Sequence, residues 1–107
     1  MNLNEYQKLA QRTANPKLDK EKKLINAALG LGGESGEVQD VIKKHLAQGH
    51  ALNVEKIVDE AGDVLWYLAE LAEVLGTTLD EIAAHNIKKL TQRYPEGFST
   101  ERSVNRE

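Results

Sequence analysis

The chain has 107 residues, 40% of them hydrophobic, and a formal net charge of −3. That length fits one small domain with a modest core, so added burial through self-association is expected. The absence of cysteine excludes disulfides, thiol nucleophiles and cysteine-type zinc sites, and the mixed charges without a basic stripe argue against nucleic-acid binding. No apolar run approaches the ~20 residues of a membrane span. Met1 to Tyr6 also lacks the cationic start and apolar stretch of a signal peptide, so a cytoplasmic protein is expected.

The pattern predicts helices and no strands. Only Pro16 and Pro95 interrupt the chain, and both fall where helices should stop. A first helix is expected from about Asn4 to Ala14, with Tyr6, Leu9, Ala10 and Thr13 on one face and Asn15-Pro16 ending it. A second runs from about Asp19 to Gln48, closed by Gly49. It contains Gly30, Gly32, Gly33 and Gly36, each unfavourable by about 1 kcal/mol relative to Ala in a helix interior. That density predicts a kink or a close approach of another group. A third helix starts at the cap Asn53 and ends at Leu75, before Gly76. Its stripe of Ile57, Ala61, Val64, Leu68, Leu71 and Leu75 has a bundle-type spacing. A fourth begins at Thr78, where Thr78-Leu79-Asp80-Glu81 is a capping box, and ends near Tyr94. Residues Glu96 to Glu107 are polar and read as a tail. The expected fold is an all-α bundle of four to five helices completed by oligomerisation, with the domain over residues 1–98 and a C-terminal tail over 99–107.

Two acidic pairs stand out within the second and third helices. Glu34-Ser35-Gly36-Glu37 and Glu60-Ala61-Gly62-Asp63 each carry carboxylates three residues apart, and so on one helix face. At about 100° per residue, Val38 and Val41 fall within about 40° of Glu34, and Glu60 lies about 60° from the middle of the apolar seam. Acids at the rim of a packed face are poorly explained by solvation. Crowded carboxylates raise one another's pKa unless a cation neutralises them, so the four read as ligands for Mg²⁺, or Mn²⁺. A single such pair is commonly just a solvated helix surface; two at a seam edge, each beside a glycine, favour the metal. A di-iron bundle would want a Glu-x-x-His motif from two helices, and none of His45, His50 or His85 lies three residues after a Glu.

The fourth helix adds Asn86, Lys89 and Arg93 on a shared face. Asn86 lies in line with Leu79, Ala83 and Leu90, where an amide needs a buried partner. Lys89 and Arg93 suit phosphate oxygens, although the helix dipole alone favours a cation at Arg93. Acids for a divalent cation beside an Asn, Lys and Arg set describe a polyphosphate site in which water attacks. Trp66 faces away from the main seam, as a base-stacking or subunit-packing residue. Tyr6, Gln7, Gln11 and Thr13 are candidates for a base pocket, with a solvated face the simpler account of the glutamines.

The stretches Gly30-Leu31-Gly32-Gly33-Glu34-Ser35-Gly36-Glu37-Val38 and Asp59-Glu60-Ala61-Gly62-Asp63-Val64-Leu65-Trp66-Tyr67-Leu68 resemble the MazG-like all-α nucleoside triphosphate pyrophosphohydrolases. Asn86-Ile87-Lys88-Lys89-Leu90 and Arg93-Tyr94-Pro95-Glu96-Gly97-Phe98 fit the same family, in its small bacterial and phage-type form, so the resemblance spans roughly Leu24 to Phe98. It implies hydrolysis of nucleoside or deoxynucleoside triphosphates to monophosphate and pyrophosphate, in nucleotide-pool house-cleaning. Mg²⁺ would be held at Glu34, Glu37, Glu60 and Asp63, with Glu37 favoured for activating water and Glu34 and Lys89 also catalytic. Asn86, Lys89, Arg93 and Trp66 would bind substrate. The resemblance further implies a homo-oligomer, dimer or tetramer, whose sites draw on more than one subunit. Two alternatives stay open: a dUTPase-like or phosphoribosyl-ATP pyrophosphohydrolase-like enzyme, and a non-catalytic helical nucleotide- or partner-binding protein.

Overall fold

The computed structural model describes residues 1–106. Among them are α1 (Leu3–Gln11), α2 (Lys20–Ala47), α3 (Val54–Val74), α4 (Leu79–Arg93) and α5 (Thr100–Val104), and no strand. Every helix opens on a side-chain cap. Asn2, Asp19, Asn53, Thr78 and Ser99 each accept a hydrogen bond from the backbone N–H three residues on. Gly49 and Gly76 close α2 and α3 with φ of 73° and 72°, a conformation that favours glycine. Two boundaries differ from expectation. The first helix stops at Gln11, because Arg12, Thr13 and Ala14 turn tightly onto the carbonyls of Leu9, Ala10 and Gln11. The polar tail is not featureless, since Ser99 caps a short helix inside it.

α2 and α3 lie antiparallel. Asn26 meets Glu70, Gly30 meets Tyr67, and Glu34 meets Asp63, so the two helices step past each other one turn at a time in opposite directions. α2 is one uninterrupted helix. Of its four glycines only Gly30 is in close contact: a Cβ there would overlap the Tyr67 ring, whereas Cβ atoms at Gly32, Gly33 and Gly36 would meet nothing within 4 Å. The expected close approach is therefore at one position, and the other three glycines face open space.

α1 crosses the other side of α3, where Ala10, Ala69, Ala72 and Leu79 form the buried core with Tyr6, Leu65, Trp66 and Leu68 packed around it. Alanine at the contact lets the backbones come close. The expected leucine seam of α3 is only partly covered by this chain: Leu68 and Leu71 are half-buried and Leu75 is exposed. Gln7, read as solvated, is buried instead. Its amide N–H donates to Glu73 Oε2 (2.8 Å) and the Thr77 carbonyl (3.2 Å), and its oxygen accepts from the Leu79 N–H (2.8 Å), tying α1 to the α3–α4 turn.

The chain leaves much apolar surface bare. Leu29, Leu46 and Val58 are 73%, 76% and 65% exposed. The radius of gyration is 16.9 Å, against about 13 Å for a compact domain of this length. Among the described residues no helix is long and apolar enough to cross a membrane.

Candidate active site

The antiparallel register of α2 and α3 gathers three of the four acids. Glu34, Glu60 and Asp63 each bring a carboxylate oxygen within 4.8 Å of the others. Glu60 and Asp63 share a face of α3 by their spacing, and Glu34 arrives from α2 one turn beyond the Gly30–Tyr67 contact. Glu37 lies outside this group and is exposed. Its charge still reaches Glu34.

The cluster is electrostatically uneven. The pKa of Glu34 is raised, first by desolvation, then by a hydrogen bond shared with Glu60 and by the charges of Asp63, Glu60 and Glu37. That of Glu60 is lowered, chiefly by Lys56, whose Nζ lies 3.0 Å from Glu60 Oε1, while burial opposes the shift. Within this pair the shared hydrogen bond acts oppositely on the two groups, upward on Glu34 and downward on Glu60. The same bond raises the pKa of Lys56. Burial and then the charge of Asp63 push the Tyr6 phenol upward. Lys56 was not singled out in the sequence, although it precedes Glu60 by four residues, the spacing of a helical ion pair.

A recess of about 360 Å³ opens beside the acids, lined by Thr13, Glu34, Asp63, Trp66 and Tyr67. The rings of Trp66 and Tyr67 meet edge to face, with centroids 5.0 Å apart and planes at 82°. The indole N–H of Trp66 donates to the Ala10 carbonyl (3.0 Å) and to Thr13 Oγ1 (2.8 Å). Trp66 thus packs against α1 of its own chain while contributing to the wall of the recess. Thr13 lines the recess, and Gln7 does not, being committed to the core. Lys43 and Lys44 pair with Asp40 at 3.3 and 3.0 Å, and that pairing lowers the Asp40 pKa.

The second set does not join the acids within one chain. Asn86 and Lys89 are exposed and Arg93 is half-buried. Lys89 and Arg93 line a separate concavity between α4 and α5, which includes none of the four acids. The expected buried partner for Asn86 is not required here, because α4 is buried at Leu79 and then exposed over most of its length. Its amide is open to solvent.

The donor set itself fits a hard divalent cation. It is all carboxylate oxygen, and the pKa of one member, Glu34, is raised by desolvation and then by the other acids. Residues 23–98 match the MazG nucleotide pyrophosphohydrolase domain. A curated relative, Gene 37 protein of Mycobacterium phage L5, is 35% identical over 78 residues, covering 69% of this chain and 68% of that one. No solved structure matches. The five helices, the acids on facing turns of α2 and α3 and the extent of the domain match converge: this chain belongs to the MazG nucleotide pyrophosphohydrolase family.

Proposed function

We propose that the protein hydrolyses nucleoside and deoxynucleoside triphosphates to the monophosphate and pyrophosphate, in a Mg²⁺-dependent reaction that clears the nucleotide pool of the cytoplasm. The observation that carries this reading is the convergence of Glu34, Glu60 and Asp63 within 4.8 Å beside an aromatic recess. Mg²⁺, or Mn²⁺, held by these acids with Glu37 nearby would supply charge neutralisation and orientation of phosphate oxygens.

The residues of the chain divide the remaining work. Glu34 and Glu60, with Asp63, would hold the cation. Glu37, outside the converging group and open to solvent, is the acid left free to accept the proton of the water that attacks the α-phosphorus. Trp66 and Tyr67 offer the base and sugar an apolar wall. Asn86, Lys89 and Arg93 bind phosphate oxygens, Lys89 countering the charge that grows on the leaving pyrophosphate.

A homo-oligomer, dimer or tetramer, follows from the same reading. The acids and the Lys89 face stand apart in one chain, and the bare leucines need cover. Docking α4 of one copy against the acids of another meets both needs.

Pyrophosphate release from a panel of ribo- and deoxyribonucleoside triphosphates, with Mg²⁺ and with EDTA, tests the proposal. Metal-dependent release with monophosphate as co-product is expected, and Glu34→Gln and Glu60→Gln should abolish it. Release that persists in EDTA, or none from any triphosphate, would sink it.

A further inference from the structure

We propose that the concavity between α4 and α5 binds a phosphorylated anion of di- or triphosphate size, held by Lys89 and Arg93 from α4 and by Arg102 and Arg106 from α5 and the residues that follow it. Its volume is about 530 Å³, within the roughly 300–1,000 Å³ of small-molecule clefts. Among the described residues, four cations line it against a single carboxylate, Glu101. Among the described residues none of the four has a carboxylate within ion-pair distance, since the recorded pairs are Asp40 with Lys43 and Lys44, and Glu60 with Lys56.

The convergence is built by the turn. Gly97 takes a φ of 93°, its N–H donates to the Tyr94 carbonyl at 3.2 Å, and the Tyr94 and Phe98 rings meet at a tilt of 37° with centroids 5.5 Å apart. Ser99 then caps α5, its Oγ accepting from the Arg102 N–H at 3.3 Å. A chain reversed in this way returns Arg102 and Arg106, spaced by four, over Lys89 and Arg93, also spaced by four. A helix dipole accounts for one cation at one helix end. It does not account for two pairs from two segments meeting across one cavity. Like charges so placed repel until a polyanion bridges them, and guanidinium forks match phosphate oxygens in pairs. Two sources share this chemistry: the phosphates of a substrate and free pyrophosphate.

The test uses the full chain in EDTA, with inorganic pyrophosphate and tripolyphosphate titrated calorimetrically at low and physiological salt. Binding is expected, weaker at higher salt. The double variant Arg102→Gln/Arg106→Gln should bind at least about tenfold more weakly, the scale of one charge-assisted hydrogen bond. Arg102→Lys/Arg106→Lys should recover part of the loss, and Glu34→Gln should bind like the wild type. Both arginines are exposed, so melting temperatures should match. Steady-state kinetics then separate the sources, and only this arm rests on the hydrolase reading. A raised KM for the triphosphate with kcat kept assigns the anion to the substrate, and unchanged kinetics beside lost pyrophosphate binding assigns it to a free anion. No binding by the wild type, or equal binding by the double Gln variant, overturns the proposal whether or not the protein releases pyrophosphate from nucleotides.

Discussion

Replacing Gly30 by alanine tests the contact that sets the α2–α3 register beside the acids. An added Cβ would overlap three atoms of the Tyr67 ring, whereas one at Gly32, half a turn away, would meet nothing within 4 Å. Both substitutions gain the same helix propensity, about 1 kcal/mol. Only Gly30→Ala also incurs overpacking, about 1–3 kcal/mol. Propensity cancels between the two, so Gly30→Ala should be less stable than Gly32→Ala by about 1–3 kcal/mol, or at least roughly 4 °C in Tm. Urea unfolding in EDTA, at matched protein concentration, measures the difference. A double-mutant cycle isolates the cause. In a Tyr67→Ala background the steric opposition disappears, and Gly30→Ala should become stabilising by about 1 kcal/mol. Zero coupling between positions 30 and 67 would refute the packing argument, whatever the single variants do.

Other perturbations reach the core and the acids. Gln7→Ala orphans the buried N–H of Leu79, which Gln7 satisfies at 2.8 Å, and should lower stability by about 1–3 kcal/mol in thermal melts; an unchanged melt would remove Gln7 from the core. Lys56→Gln frees Glu60 from the ammonium 3.0 Å away, and Mn²⁺ titration should show up to about fivefold tighter binding, the scale of an exposed ion pair. In EDTA the pH dependence of stability should follow the two shifted acids. Glu34 has a raised folded pKa, so the folded state binds the extra proton and stability falls as pH rises from the ordinary carboxylate value through the raised one. Glu60 has a lowered folded pKa, so its contribution is present above the ordinary value and lost as pH falls through the lowered one. Urea midpoints against pH should show the upper slope in the wild type and not in Glu34→Gln; Mg²⁺ should flatten it.

Local signals made the helices legible. Asn53, Thr78, Gly49 and Gly76 mark ends that depend only on a cap or a positive φ. The acidic pairs were legible because helical spacing fixes which carboxylates share a face. Which three of the four meet is set by the register of α2 on α3, and that register depends on the Gly30–Tyr67 contact, one glycine among four. Gln7 looked solvated because nothing local separates a buried glutamine from an exposed one; its partners Glu73, Thr77 and Leu79 lie far along the chain. The Arg102 and Arg106 arm was hidden for a different reason. Its sequence is polar throughout, and only the reversal at Gly97 gives those polar residues a common direction.

Glu70 is an unfavourable buried group that the α2–α3 seam tolerates. It is 1% exposed, yet among the described residues its side chain meets only Asn26 Nδ2, 3.0 Å from Oε2, and Oε1 has no partner. A buried carboxyl group so thinly satisfied is unfavourable, and a seam designed for stability alone would place an aliphatic residue there. The same two helices crowd Glu34, Glu60 and Asp63 at the other end of the Gly30–Tyr67 contact, where desolvation first, and then the neighbouring carboxylates, raise the Glu34 pKa. The α2–α3 pair therefore carries unfavourable polar groups on both sides of the Gly30–Tyr67 contact. A cation relieves the strain only at the acidic end, so metal binding should stabilise the fold most where the proposed chemistry occurs, and Glu70 should be indifferent to it.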